Sequence, residues 1–122
     1  MPGLASLAAI TLDTADHKQL SAFYRAALGW EEIWGDDKVS YLAGEGGVRL
    51  GFQKVEGYQA PEWPSTSKPQ QFHLDLSVPD IEAAEKELVG LGATVATDQP
   101  GGERWRVLLD PSGHPFCLTS VV

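Results

Sequence analysis

The chain has 122 residues, of which 43% are hydrophobic and 21% are charged, a composition typical of one soluble globular domain. Its formal net charge of −8 would repel nucleic-acid phosphates and anionic lipid headgroups, so neither nucleic acid nor a membrane is expected as a partner. The single cysteine, Cys117, excludes an internal disulfide and favours a cytoplasmic location. The apolar stretch at residues 4–10 is too short for a signal peptide or a spanning helix.

The first half of the chain predicts a strand followed by a helix. The strand covers residues 5–13. Asp16 is a good N-cap for the helix and has Gln19 three residues later, while Gly29 supplies a C-terminal stop. An apolar stripe at helical spacing lies between them: Leu20, Phe23, Tyr24, Ala27 and Leu28. His17, in the first turn, is expected to be solvated.

Three short strands and a long connection follow this helix. The strands are predicted over residues 30–34, 39–43 and 48–55, because glycine-rich and acidic turn signals separate them. Residues 56–70 contain three prolines and no periodicity. A connection of this length is either a lid over a functional site or a tether between two half-domains.

The same plan then restarts. Asp80 lies 64 positions after Asp16 and begins a second helix, which Gly92 ends. The apolar face of this helix is Ile81, Ala84, Leu88 and Leu91. A strand precedes it and three follow, predicted over residues 71–78, 94–97, 104–109 and 115–121, with a proline-glycine hairpin turn at 110–114.

The repetition predicts an α+β fold of two βαβββ modules in a single domain, residues 1–122. Module one covers about residues 5–55, the connecting loop 56–70, and module two about 71–121. Two copies are too few for a solenoid, so each module is expected to bury its apolar face against its twin. We expect two four-stranded sheets, with helices on their outer faces, that form a curved mixed sheet around a cleft.

The chain resembles the vicinal oxygen chelate (VOC) superfamily, which includes glyoxalase, bleomycin-resistance and fosfomycin-resistance proteins and extradiol dioxygenases. The resemblance covers nearly the whole chain, and its most specific pieces are ALGW at 27–30 and DPSGHPF at 110–116. A glyoxalase-like subgroup common in actinobacteria is also similar at 50–55, 61–64 and 72–76. The resemblance implies the two-module fold but no single activity.

Metalloenzymes of this superfamily place ligands at four positions, which fall here on Ala9, Gly51, His73 and Cys117. Ala9 and Gly51 have no donor atom, so half of the coordination shell is missing. A pair of His and Cys suits Zn²⁺ but falls short of the three or four ligands of protein zinc sites. We therefore expect no metal and no cofactor, with His73 a polar cleft residue and Cys117 packed as a small apolar one.

Strand alternation predicts which side chains share the cleft face. Asp75 lies on the face of His73 and could orient it as a general acid or base, although residues two apart on a strand touch only in favourable rotamers. Arg49 and Gln53 share the face of Gly51. Cys117 would be a nucleophile only with a partner that lowers its pKa, and the sequence shows none. The alternative is that these polar residues merely solvate the cleft.

Aromatic residues complete the predicted ligand site. Trp63, between two prolines in the connecting loop, and Trp105, on a late strand, are candidate walls for a small-molecule pocket. The alternative for Trp63 is that it anchors the loop to the sheet. Trp30 is expected in the core, and His114 is expected to be only a turn residue.

Three functions remain open at this point. The first, which the missing metal donors favour, is a glyoxalase-like protein that binds a small, partly aromatic organic molecule without a conventional metal site, as bleomycin-resistance-type relatives do. The second is a VOC enzyme of the lyase, isomerase or dioxygenase type, either metal-dependent or using His73 as acid or base. The third is an accessory module with a vestigial cleft. Relatives commonly pair through sheet edges, so a homodimer is expected.

Overall fold

The computed structural model describes residues 8–61 and 73–120. The chain forms two compact units, Met1–Tyr58 and Gln59–Val122, and the boundary falls inside the predicted connecting loop. Neither helix of the described residues has the length and apolarity needed to cross a membrane.

Each unit contains one helix and one four-stranded sheet. The first consists of β1 (Ala9–Thr14), α1 (His17–Leu28), β2 (Glu31–Gly35), β3 (Val39–Ala43), a short 3₁₀ turn (Glu45–Gly47) and β4 (Arg49–Lys54). The second consists of β5 (Leu74–Ser77), α2 (Ile81–Gly90), β6 (Thr94–Val95), β7 (Trp105–Leu109) and β8 (Pro115–Thr119). This element order confirms the predicted βαβββ plan and the α+β class.

The two sheets have the same mixed topology. Their strand orders are β1-β4-β3-β2 and β5-β8-β7-β6. In each sheet the first and last strands of the unit pair in parallel, and the remaining pairs are antiparallel. A parallel pair needs a crossover connection, which the helix and the intervening strands supply.

Both helices begin where the sequence predicts. The Asp16 side chain accepts hydrogen bonds from the backbone N–H groups of Lys18 and Gln19, and the Asp80 side chain accepts one from Ala83. Gly29 ends α1 with φ of 70°, a left-handed conformation that residues with a Cβ rarely adopt.

Each helix covers one face of its own sheet. In the first unit, Tyr24 of α1 stacks on Phe52 of β4 with ring centroids 5.5 Å apart. In the second unit, Leu88 of α2 is buried, as are Leu108, Phe116 and Leu118 of the sheet. The opposite face of each sheet is therefore free of the unit's own helix, and we call it the open face.

Two expectations for the helices are wrong. His17 is buried, and its Nε2 lies 2.9 Å from the backbone oxygen of Asp36, because the turn after β2 folds over the start of α1. Leu91 is 45% exposed because α2 ends at Gly90 and Leu91 is its C-cap. Trp30 is half-buried, and its ring lies against Gly44.

Candidate functional site

The open face of the second sheet brings together His73, Asp75 and Cys117. Asp75 on β5 is the register partner of Cys117 on β8, and partners in register point to the same face of a sheet. The alternate residues of these strands, Leu76 and its partner Leu118, point to the other face, where α2 packs. His73 immediately precedes β5 and lies two residues before Asp75, so it follows the same alternation.

The three side chains lie close together. His73 Nε2 is 3.3 Å from Asp75 Oδ1, so the two side chains adopt rotamers that let residues two apart on a strand touch. Donor atoms of His73, Asp75 and Cys117 all lie within 4.8 Å of one another. The side chains of His73 and Asp75 are 37% and 57% exposed, whereas Cys117 is half-buried. A molecule from solution therefore has access to the imidazole and the carboxylate.

The environment of Cys117 keeps it protonated. Burial raises the pKa of the Cys117 thiol above its ordinary value of 9.0, and the negative charge of Asp75 and the hydrogen bond that the thiol donates to it raise the pKa further. Sequence reasoning found no partner for this thiol, because the partner lies 42 positions away and is set by strand register. A raised pKa opposes a role as nucleophile.

The 3.3 Å contact between His73 and Asp75 can orient the imidazole. A carboxylate beside one ring nitrogen favours the tautomer that keeps a proton on that nitrogen, and the other nitrogen is then free to accept one. This is the arrangement of an oriented general base. The neighbouring thiol also uses the Asp75 carboxylate, so the carboxylate serves two donors at once.

Trp105 lies on the same open face. Its register partner is Thr119, and the next residue, Arg106, points to the helix face, where its Nε bonds to Glu85 Oε1 of α2 at 2.8 Å. The Trp105 ring packs on Gly101, where a Cβ atom would lie 2.3 Å from ring atom Cδ2, and the residue stays 37% exposed. Trp63, the other predicted aromatic wall, lies outside the described residues.

The matching positions of the first unit lack these groups. Thr11 and Gly51 pair in register on β1 and β4, as Asp75 and Cys117 do on β5 and β8. Gly51 is covered by the ring of Tyr41, whose Cε1 would lie only 2.6 Å from an added Cβ. Arg49 and Gln53, the predicted ligand residues of β4, are exposed on the same face as Gly51.

Sequence reasoning missed the aromatic pair of this first open face. Trp34 of β2 and Tyr41 of β3 are register partners with ring centroids 6.4 Å apart. Alternation within residues 39–43 could have placed Tyr41 on the face of Gly51. It could not have placed Trp34, because the register shifts between Glu32 and Trp34.

The residues do not fit the four-ligand metal shell that the superfamily resemblance implies. Ala9 and Gly51 have no donor atoms, and the space above Gly51 holds the Tyr41 ring and Thr11 Oγ1. A replacement side chain at Gly51 would have to displace that ring before it could coordinate anything. No reaction step of the conventional metal-dependent kind can be drawn through this set.

Comparison with solved structures identifies the fold. One similar structure is a glyoxalase/bleomycin resistance protein/dioxygenase family enzyme from Burkholderia phytofirmans PsJN. It is 20% identical to this chain with a TM-score of 0.70, and the match covers 93% of this chain and 97% of that one. A glyoxalase-related enzyme from Fulvimarina pelagi is 22% identical to this chain with a TM-score of 0.68, and the match covers 94% of this chain and 87% of that one.

A third similar structure is a mutant of the fosfomycin resistance protein FosX from Listeria monocytogenes, complexed with Mn(II) and a dihydroxypropylphosphonic acid. It is 18% identical with a TM-score of 0.73, and the match covers 98% of this chain and 93% of that one. A search of the curated proteins finds no match. The family model for the glyoxalase-like domain matches residues 9–119, from the first strand to the last. The chain therefore belongs to the glyoxalase-like domain family.

Proposed function

We propose that this protein binds a small, partly aromatic organic molecule on the open face of its second sheet, without the conventional metal site. The observation that carries the proposal is the combination of a partly exposed Trp105 ring with the exposed pair of His73 and Asp75 on one sheet face. An aromatic wall with a few placed polar groups is the usual composition of a small-molecule site.

Each residue has a role in this proposal. Trp105 supplies apolar contact with a planar group, and its ring is held in place by packing on Gly101. His73 supplies the orienting hydrogen bond, and Asp75 holds its imidazole at 3.3 Å. Cys117 forms the half-buried floor. Arg49, Gln53 and Trp63 stay predicted ligand residues.

The experiment is a titration of the full chain with a panel of soluble aromatic acids, alcohols and amines, followed by native mass spectrometry and tryptophan fluorescence. Burial of one aromatic ring is worth about 1–2 kcal/mol, so Trp105→Ala and Trp63→Ala should each weaken binding about tenfold. Val89→Ala is the control, because it shortens an exposed apolar side chain on α2, the helix that packs on the other face of the same sheet. Equal affinity for wild type, Trp105→Ala and His73→Gln would contradict the proposal.

A second candidate function is acid–base catalysis by His73, and the 3.3 Å contact with Asp75 favours it. Such an enzyme would be of the lyase or isomerase type, in which a proton is removed from carbon. Solvent deuterium should then exchange into a carbon acid from the binding panel, and His73→Gln should abolish the exchange while the fold is retained. Binding without deuterium exchange would be consistent with the ligand-binding proposal and would exclude acid–base catalysis by His73.

We also propose a homodimer and a cytoplasmic location. Strand β2 is the outer strand of its sheet, and its five residues are exposed, with Ile33 at 47% and Trp34 at 53%. An exposed apolar edge strand is a ready surface for pairing with a second copy. Light scattering at tens of micromolar should give twice the chain mass, and Trp34→Lys should lower it. A monomer mass for the wild-type chain would contradict the dimer.

Membership of the glyoxalase-like subgroup common in actinobacteria stays a prediction.

A further inference from the structure

We propose that the first unit holds a separate ligand site, a polar cavity between α1 and the turn joining β2 to β3, which binds the ammonium group of a small amino-acid-like zwitterion. The cavity has a volume of about 420 Å³, within the range of small-molecule pockets. Its polar lining includes His17, Lys18, Ser21, Arg25, Glu32 and Ser40. All of these residues belong to the first unit and lie away from His73 and Trp105 of the proposed ligand site.

Three of the side chains that line the cavity carry a buried polar atom with no hydrogen-bond partner among the described residues. These atoms are Nδ1 of His17, which is 4% exposed, and the hydroxyl oxygens of Ser21 and Ser40, each 2% exposed. Buried polar groups in proteins are almost always hydrogen-bonded, and a group without a partner lowers stability. Three such groups on one cavity therefore point to a polar molecule that binds there.

The local fold explains why the three groups share one cavity. His17 and Ser21 are four positions apart on α1, so their side chains are neighbours on one face of the helix. Ser40 is the register partner of Phe52, whose ring stacks on Tyr24 of α1. Register partners point to the same face of a sheet, so Ser40 also points to the helix. The sheet thus adds a third polar group to the two on α1.

The hydrogen bond of His17 determines what the ligand must supply. The backbone oxygen of Asp36 can only accept, so His17 Nε2, which lies 2.9 Å from it, carries the ring proton. In the neutral imidazole Nδ1 is then an acceptor, and each serine hydroxyl can also accept. A primary ammonium group has three N–H donors, one for each of these atoms. A carboxylate has no hydrogen atom to donate to Nδ1.

The strand side of the cavity is acidic, which suits an ammonium group. An added Cβ at Gly35 would lie 3.5 Å from Glu32 Oε2 and 3.5 Å from Ser40 Cβ, so the Glu32 carboxylate lies near the Ser40 side chain. Backbone hydrogen bonds lower the pKa of the Asp36 carboxyl group, so it stays ionised beside His17. A positive charge between these carboxylates is therefore favoured.

The helix side of the cavity is basic, which suits a carboxylate on the same ligand. Arg25 lies four positions after Ser21, and helical side chains lean toward the N-terminus, so its guanidinium extends toward Ser21. Within residues 8–61 and 73–120, no ion pair involves Arg25 or Lys18. A molecule with an ammonium group at the three acceptors and a carboxylate beside Arg25 satisfies both sides.

The test is titration calorimetry of the full chain with glycine, β-alanine and γ-aminobutyrate, a series in which the two charges move apart. We expect at least one member to bind with one molecule per chain. Its N-trimethyl analogue keeps both charges but has no N–H, and should bind at least about tenfold more weakly. Ser21→Ala and Ser40→Ala should each weaken binding of that member about tenfold. Arg25→Gln should weaken it about threefold and leave binding of n-propylamine, which has no carboxylate, unchanged.

Ser120→Ala is the matched control, because it removes a serine hydroxyl from an exposed position after β8. It should leave binding unchanged. Unliganded Ser21→Ala and Ser40→Ala should resist urea at least as well as wild type, because each removes a buried hydroxyl that has no partner. Absence of binding by the whole series, or equal binding of the trimethyl analogue, would overturn the site. Loss of stability in both serine variants without any binding would overturn it too, since trapped water alone would then satisfy the three groups.

This inference does not rest on the proposed function. Trp105→Ala should weaken binding of the aromatic panel and leave the amino-acid titrations unchanged, because Trp105 belongs to the second unit. Ser21→Ala should do the reverse. Failure of this cavity and failure of the open-face site are therefore read from different variants and different probes.

Discussion

Asp75 and Cys117 are register partners on β5 and β8, and the Cys117 thiol donates a hydrogen bond to the Asp75 carboxylate. Thr11 and Gly51 hold the same register on β1 and β4, with the Tyr41 ring lying over Gly51. The two units thus share a strand topology but differ in the side chains at these equivalent register partners. The second unit places a carboxylate and a thiol at this position, while the first unit fills the equivalent position with an aromatic ring.

The first prediction concerns the reactivity of Cys117. With a chelator present, Asp75→Asn should speed alkylation of this thiol by iodoacetamide at about pH 8.5, because removing the carboxylate charge lowers the Cys117 pKa and increases the thiolate fraction. Mass spectrometry measures the rate directly, since the chain has one cysteine. Glu82→Gln should alkylate at the wild-type rate, and an unchanged rate in Asp75→Asn would show that burial alone sets the pKa.

The raised pKa of Cys117 also predicts a dependence of stability on pH. The folded chain holds this proton more tightly than the unfolded chain, whose thiol has the ordinary pKa of 9.0. The stabilising contribution is therefore fully present below that pH and is lost as the pH rises through the folded value. Urea unfolding above about pH 9 should show a steeper fall in the free energy of unfolding for wild type than for Cys117→Ala. Parallel curves for the two proteins would contradict the prediction.

Gln99 supplies the hydrogen-bond partner of Val107 N–H, while Val107 C=O also accepts a hydrogen bond from Ala96 N–H at 3.1 Å. Its Oε1 accepts a hydrogen bond from Val107 N–H at 2.9 Å, and its Nε2 donates to Val107 C=O at 2.8 Å and to Ala96 C=O at 2.9 Å. Strand β6 has only two residues and ends before it reaches Val107. Gln99→Ala should lower the free energy of unfolding by about 1–3 kcal/mol, because Val107 N–H loses the hydrogen bond that Gln99 Oε1 accepts from it. Asp98→Ala, at the exposed neighbouring position, should change it by less than about 0.5 kcal/mol.

Gly51 should not tolerate a methyl group. An added Cβ would lie 2.6 Å from Tyr41 Cε1 and 2.9 Å from Thr11 Oγ1, so the ring has to move. Gly51→Ala should cost about 1–3 kcal/mol of unfolding free energy, the usual cost of overpacking. Gly90→Ala is the control, since nothing lies within 4 Å of its added Cβ and alanine favours a helix. Equal unfolding midpoints for wild type and Gly51→Ala would mean that the Tyr41 ring moves aside without a measurable cost in stability.

The two helix caps should differ in strength. Asp16 accepts two backbone hydrogen bonds, both of 3.1 Å, whereas Asp80 accepts one of 3.2 Å. Replacement of a helix N-cap by alanine costs about 1 kcal/mol, so both Asp16→Ala and Asp80→Ala should destabilise the chain. We expect the larger loss for Asp16→Ala by denaturant unfolding. A larger loss of stability for Asp80→Ala would show that the number of capping hydrogen bonds does not set the stability that each cap contributes.

Local signals determined the order of elements. Asp16, Gly29 and Asp80 mark helix ends through the hydrogen bonds and backbone angles of their own neighbourhoods, and the structure confirms each of them. The strand predicted over 39–43 matches β3 residue for residue, because its alternation and flanking turns are complete within a few positions. Repetition of this local plan then predicted the two-module α+β fold.

Tertiary structure decided the surroundings of the site residues. His17 is polar and near a helix start, yet the backbone oxygen of Asp36, in a turn 19 positions away, accepts a hydrogen bond from its ring, and the residue is buried. Asp75 was predicted beside His73, since both lie on one short segment, but its contact with Cys117 depends on which strands pair and in which register. Patterns along a chain report which face a side chain takes on its own strand. They do not report the neighbour that long-range pairing supplies, and that neighbour, Asp75, adds to the effect of burial in raising the pKa of Cys117.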